Sequence, residues 1–247
     1  MRPILLVILL AASAAADTCD NCHGDRVVGP GPVRFSCPVC DGSGAVPDKP
    51  ARAAAPRPAV PRIECGAGPA KDCGSGVLVD AGGGRPVVLT AWHVVRGNRD
   101  AITVRWPDGT SAAATVVASA DDWDLAVLAT PAPKAAPVTI AARAPAIGDR
   151  LTIAGYGPAP FVYREASGDV TQFLAPAGRR PAHMVEIRAA ARQGDSGGPI
   201  FTEAGELAGI LWGSSKGLTA GSHVVEIRSI LAKARPADCP DGRCARR

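Results

Sequence analysis

The chain has 247 residues, of which 47% are hydrophobic and 20% charged, and it carries a formal net charge of +4. That length accommodates one mid-sized domain and a small one. So mild a charge, with no basic run interleaved with aromatics, argues against a nucleic-acid binder. The chain opens on a secretory pattern in residues 1–16. Arg2 is a basic n-region, Ile4 to Leu10 an apolar core, and Ala14-Ala15-Ala16 the small residues a signal peptidase needs. The apolar run falls short of the roughly 20 residues that span a bilayer, and no later stretch reaches that length. The expectation is an exported chain, secreted or periplasmic, with no membrane span once residues 1–16 are removed and a charge of +3 after Arg2 is lost.

Residues 17–45 hold two C-x-x-C pairs, Cys19/Cys22 and Cys37/Cys40, fourteen residues apart. Each pair sets two thiolates on one tight knuckle, and two facing knuckles make the four-sulfur set of a tetrahedral zinc site. Export favours the other outcome, two disulfides. A module this small has little core and needs a staple of one kind or the other. The second repeat reads C-x-x-C-x-G-x-G in full, whereas the first has Arg26 where its last glycine would fall. These repeats resemble half of the cysteine-rich zinc domain of DnaJ-type chaperones, which implies a structural zinc on Cys19, Cys22, Cys37 and Cys40. Residues 46–62 follow with prolines at 47, 50, 56, 58 and 61. Proline removes donors and fixes φ, so a semi-extended linker is expected.

The main domain is expected over residues 63–235, with a tail over 236–247. Cys65 and Cys73 flank a short Gly/Pro loop, and Cys239 and Cys244 flank another, but spacing does not settle their pairing. Gly74-Ser75-Gly76 opens a strand, Gly82-Gly83-Gly84 turns it, and residues 86–89 return. His93 follows in Thr90-Ala91-Trp92-His93-Val94-Val95. An imidazole titrates near neutrality and can take and return a proton, which suits a general base. Strands are expected at 102–106 and 115–117. Asp121, Asp122 and Asp124 stand before Leu125-Ala126-Val127-Leu128, and each is a candidate to orient that imidazole. A Pro/Ala-rich connection, 129–145, leads to further strands at 147–151, 170–173 and 184–187. Arg192-Gln193-Gly194-Asp195-Ser196-Gly197-Gly198-Pro199 then crowds one serine with glycines. It is either a surface turn or a nucleophile beside backbone N–H groups. Residues 207–213 and 224–227 read as the last strands, and 229–234 as the start of a short helix.

The stretches TAWHV, DLAVL and GDSGGP resemble, in that order, the trypsin-like (chymotrypsin-fold) serine proteases of bacterial type. The resemblance covers about residues 63–235 and implies an all-β fold of two six-stranded antiparallel barrels. It implies an endopeptidase acting on protein or peptide substrates through an acyl-enzyme, with no cofactor for catalysis. His93 is the implied base, Asp124 its orienting carboxylate and Ser196 the nucleophile. The N–H groups of Gly194 and Ser196 are the implied oxyanion hole. Ala190 falls at the base of the implied primary pocket, with Leu211, Trp212, Gly213 and His223 along its walls. No acid lies between Ala189 and Gln193, so small or aliphatic side chains are expected there. No Ile-Val-Gly-Gly-like segment stands near Glu64. The zymogen switch of animal relatives, in which a new terminus pairs the aspartate before the serine, is therefore not expected. The alternative function is a binding or adaptor protein on a protease-like scaffold, with the cysteine module as recognition element.

Overall fold

The computed structural model describes residues 27–28, 35–36, 55–66, 72–99, 101–131, 133–175 and 181–234. The chain divides into two units, Met1–Arg52 and Ala53–Arg247. In the first, β1 (Val27–Val28) and β2 (Phe35–Ser36) pair antiparallel, with Val27 opposite Ser36. The four cysteines on either side of this hairpin, the expected signal peptide and residues 235–247 lie outside the described residues.

The second unit is all-β, with two barrels. The first contains β3 (Arg62–Cys65), β4 (Asp72–Ser75), β5 (Val77–Asp80), β6 (Pro86–Ala91), β7 (Ile102–Arg105), β8 (Ser111–Ala120) and β9 (Leu125–Ala129). Their order is β4-β3-β7-β8-β9-β6-β5. The two ends of this sheet, β4 and β5, are separated only by Gly76, so the sheet curls round until it nearly closes. Seven segments thus build a six-stranded barrel. Its interior is apolar: Ile63, Leu78, Val88, Val104 and Leu128 are fully buried.

The second barrel is closed. It comprises β10 (Arg150–Tyr156), β11 (Tyr163–Leu174), β12 (Met184–Ile187), β13 (Pro199–Thr202), β14 (Leu207–Ser215) and β15 (Leu218–His223), in the order β10-β11-β12-β15-β14-β13. Two helices complete the unit, a single turn α1 (Trp92–Val95) and α2 (Val224–Lys233).

Two local expectations change. Val224–Ile227, expected as a strand because of its β-branched residues, is the first turn of α2. Val224, Ile227, Ile230 and Leu231 are spaced as one helical stripe. Ile227, Ile230 and Leu231 bury against Val79, Leu89, Leu125 and Ile210, so packing overrides local propensity. The last strand is instead β15. Residues 55–61, expected to be linker, are part of the domain: Val60 is fully buried with Phe201 and Tyr163. Ala59 accepts from Leu78 N–H at 2.8 Å, and Pro61 from Gly76 N–H at 3.0 Å. Arg57 reaches the second barrel, paired with Glu165 at 2.7 Å and lying 4.3 Å from the Phe201 ring centre. The segment fastens the two barrels together. No helix among the described residues is long and apolar enough to cross a membrane.

Candidate active site

β6 ends at Ala91, where it pairs with Leu125 at the start of β9. The chain then turns into α1, so the residue before β9 meets the first turn of the helix. That residue is Asp124, buried to 9% exposure. It closes the 3-10 turn Asp121–Trp123 in the left-handed region at φ 48°, which aspartate tolerates better than most residues. Its carbonyl accepts from Trp92 N–H at 3.0 Å. Its Oδ1 accepts from His93 N–H at 2.7 Å, and Oδ2 lies 2.5 Å from His93 Nδ1. One residue thus caps α1, whose own N-cap Ala91 has no side chain to do so, and fixes the imidazole. The ring is one-third exposed, with Nδ1 toward the carboxylate. Asp121 and Asp122 belong to the 3-10 turn that precedes Asp124.

The serine turn joins β12 to β13. Gly197, at φ 80°, sits so close to β6 that a Cβ would lie 2.2 Å from Thr90 Oγ1 and 2.8 Å from Ala91 N. This brings Ser196 beside the start of α1. Ser196 Oγ donates to Trp212 carbonyl at 3.4 Å. Gly194 has φ 90° and stands against the end of β10, where a Cβ would meet Tyr156 carbonyl at 2.6 Å. Only glycine suits both the conformation and the space. The N–H groups of Gly194 and Ser196 have no partner among the described residues.

Two residues the motifs did not reveal hold this turn. Ser75, fully buried on β4, donates its N–H to Ser196 carbonyl at 2.8 Å and its hydroxyl to Gly194 carbonyl at 2.9 Å. The same hydroxyl accepts from Tyr156 N–H at 2.9 Å. The serine in the Gly74-Ser75-Gly76 opening was the available signal. The other is Arg192, whose guanidinium bonds both carboxylate oxygens of Asp195 at 2.9 and 3.1 Å.

The expected pocket residues separate. Trp212, 46% exposed, and Gly213 line a cavity of about 470 Å³ with Leu174, Glu186, Lys216 and Leu218. Leu211 turns inward into the second barrel. Ala190 is exposed, and its carbonyl accepts from Arg164 at 3.1 Å. His223 is 3% exposed at the head of α2, where Nδ1 accepts from Val225 N–H at 3.3 Å. Its ring lies 4.7 Å from that of His183, which in turn meets Glu226 at 2.6 Å. Burial, helped by His183, pushes the His223 imidazole down to about 4. Among the described residues no three metal-ligating side chains converge.

β14 is hydrogen-bonded on both sides as far as Leu211, whose N–H donates to Gly198 carbonyl and whose carbonyl accepts from Gly197 N–H, both at 2.8 Å. Beyond it, Gly213–Ser215 pair with β15 alone. A short strand edge therefore stands open beside Ser196, and an extended peptide can add to such an edge through its main chain.

A family model described as a trypsin-like peptidase domain matches residues 74–210, just over half of the chain. Among solved structures, the chain is similar to the inactive form of the Rv3671c protease, at 26% identity and a TM-score of 0.60, over 72% of this chain and 89% of that one. A serine-to-alanine variant of the same M. tuberculosis H37Rv protein matches at 25% identity and the same TM-score, over 73% and 89%. The serine endoprotease from Yersinia pestis matches at 28% identity and a TM-score of 0.61, over 76% of this chain and 65% of that one. No curated protein sequence matches the chain.

Proposed function

The chain belongs to the trypsin-like peptidase family, and on that premise we propose that it is an exported serine endopeptidase. The observation that carries the reading is the contact of Asp124 with both the backbone and the ring of His93, beside a serine turn with two N–H groups that have no partner among the described residues. In the proposed reaction a peptide lies along the open edge of β14. Ser196 Oγ turns from Trp212 carbonyl toward His93, gives its proton to the imidazole and attacks the peptide carbonyl carbon. Asp124 accepts from Nδ1–H throughout, which holds the other ring nitrogen as the base and stabilises the imidazolium. The oxyanion is held by the N–H groups of Gly194 and Ser196. Proton return from His93 expels the amine, and water repeats the cycle on the acyl-enzyme. The preference for small or aliphatic substrate side chains is proposed from the sequence, where no acid stands between Ala189 and Gln193; the cavity beside Gly213 does carry Glu186 in its lining.

The test is a fluorophosphonate probe on the folded protein, with the adduct located by peptide mass. Labelling at Ser196 that disappears in His93→Ala supports the reading. Folded protein that stays unlabelled overturns it in favour of an adaptor on this scaffold. For the N-terminal unit the proposal is a structural zinc on Cys19, Cys22, Cys37 and Cys40. It is supported by their spacing and by the β1–β2 hairpin between the pairs. Elemental analysis is expected to find about one zinc per chain, and two disulfides at these cysteines would exclude it.

A further inference from the structure

We propose that Glu186 is a specificity residue, and that the cavity it lines receives a lysine or arginine side chain of the substrate, from the part that precedes the cleaved bond. The inference rests on the peptidase reading above and deepens it by naming a class of peptide that the site takes.

Side chains alternate along β12. Val185 and Ile187 are fully buried inside the second barrel, so Glu186 between them faces outward. Sheet register then builds a row across three strands. Glu186 lies opposite Ala220, and Ala220 lies opposite Gly213 on the open edge. Only a methyl group and a hydrogen stand along that row, and a Cβ on Gly213 would meet nothing within 4 Å. The space left is the cavity of about 470 Å³, whose apolar walls include Leu174, Trp212 and Leu218. Ligand sites commonly span roughly 300–1,000 Å³, so a long side chain has room.

The carboxylate is anchored from β11. Thr171 hydroxyl donates to Glu186 Oε1 at 2.6 Å, and Gln172 Nε2 donates to the same oxygen at 3.0 Å. Oε2 has no hydrogen-bond partner among the described residues. Both donors are neutral, so neither supplies a counter-charge. Lys216 also lines the cavity, but from the exposed β14–β15 turn, and no ion pair joins it to Glu186 among the described residues. A solvated ammonium on a turn is a weak partner for a ligand. A half-buried carboxylate with one oxygen fixed is a stronger one. A lysine or arginine suits this combination, since its stem packs on apolar walls while its head meets the acid. An acidic side chain would meet like charge there.

The register also gives the direction. Ser196 Oγ meets Trp212 carbonyl, and the open edge Gly213–Ser215 leads away from it. Every pair of neighbouring strands in this barrel is antiparallel. A peptide that continues the pattern runs toward Ser196, so the residues along the edge precede the cleaved bond. Ala190 does not line this cavity. The small side chain expected at Ala190 and the basic one proposed here therefore belong to different residues of one substrate.

The experiment uses the full chain. A peptide library randomised on both sides of the cut is digested, and the products are read by mass. Lysine or arginine is expected at one of the three positions before the cleaved bond, the number that Gly213–Ser215 can pair. Two fluorogenic peptides are then compared that differ only in arginine or citrulline at that position; citrulline keeps the shape without the charge. The arginine peptide is expected to lead by about tenfold in kcat/KM, chiefly through KM, because the contact is made before the chemical step. Glu186→Gln is expected to bring the ratio close to one, and Glu186→Lys to turn the library preference toward aspartate and glutamate. Lys216→Ala is expected to raise the ratio severalfold by removing a like charge. Each ratio compares two peptides on one protein, so partial loss of folded material cancels. Cleavage without a basic preference, or a ratio kept in Glu186→Gln, would overturn the proposal and leave the peptidase reading intact. If the Glu186 variants do not fold, the library and the arginine-to-citrulline ratio of the unmodified protein decide alone. A protein that cuts no peptide and takes no fluorophosphonate at Ser196 would overturn both readings.

Discussion

The two barrels hold their halves of the candidate site by different means. In the first, His93 depends on a residue 31 positions away, delivered by the pairing of β6 with β9, and one carboxylate caps the helix and fixes the ring. In the second, Arg192 to Ser196 form a local ring that is only then fastened to the barrel. The base half is precise because of sheet register, and the nucleophile half because of loop chemistry. A change on the first side should act through a single bond, whereas a change on the second should loosen several backbone groups together.

The strongest way to break the first half is Asp124→Asn. Asparagine also tolerates the left-handed region and can still cap α1 through Oδ1, so the fold should persist. It would give the imidazole the wrong tautomer, and kcat is expected to fall about 10⁴-fold in steady-state kinetics. Asp121→Asn and Asp122→Asn should leave kcat as it is. If either matched Asp124→Asn, the orienting residue would have to be reassigned.

The second half is best broken through its backbone contacts. Gly155→Ala places a Cβ 2.8 Å from Asp195 Cα and 2.9 Å from Ser75 Oγ. Denaturant unfolding is expected to show a loss of about 2 kcal/mol, as overpacking does, together with slower labelling at Ser196. A variant as stable as the parent would show that the loop yields more easily than its hydrogen bonds suggest.

A perturbation outside both halves sharpens the contrast. His223 sits beside His183 and Phe173, with Glu226 bound to His183. Its folded value of about 4 lies below the ordinary 6.5, so the unfolded chain takes the proton first. Stability should be level above about pH 6.5 and fall on the order of 2 kcal/mol toward pH 4. His223→Asn keeps a cap for α2 and should flatten that slope in unfolding midpoints measured at the two ends.

The smallest effect belongs to the segment that joins the barrels. Arg57→Ala removes its pair with Glu165, which holds that carboxyl below the usual range, and its contact with Phe201. The expected cost is about 1 kcal/mol in unfolding, with labelling of Ser196 unchanged.

The barrel architecture and the place to look for chemistry were legible because they rest on contiguous motifs and on strands bounded by glycine turns. What was not legible depended on distant parts. Arg192 lies near the serine in sequence, but a pair at i and i+3 in a loop has no periodic signature. Its role emerges only when Gly155 and Gly157, more than thirty residues earlier, make room for it. Residues 55–61 have the composition of a linker, and the burial of Val60 against Phe201 has no local sign. Val224 to Ile227 look like a strand until the stripe they share with Ile230 and Leu231 finds the core. Nothing in the sequence distinguished Trp212, exposed on its strand, from Leu211, buried beside it.

The open edge of β14 has a consequence for how this molecule meets other chains. An unpaired edge is normally an aggregation hazard, since any extended segment can add to it. The second barrel is closed, the first is nearly so, and the edge at Gly213–Ser215 is short. In the proposed enzyme it also lies beside the nucleophile. A segment that docked there would be held along Ser196, so the place where another chain could stick is also where it would be cut.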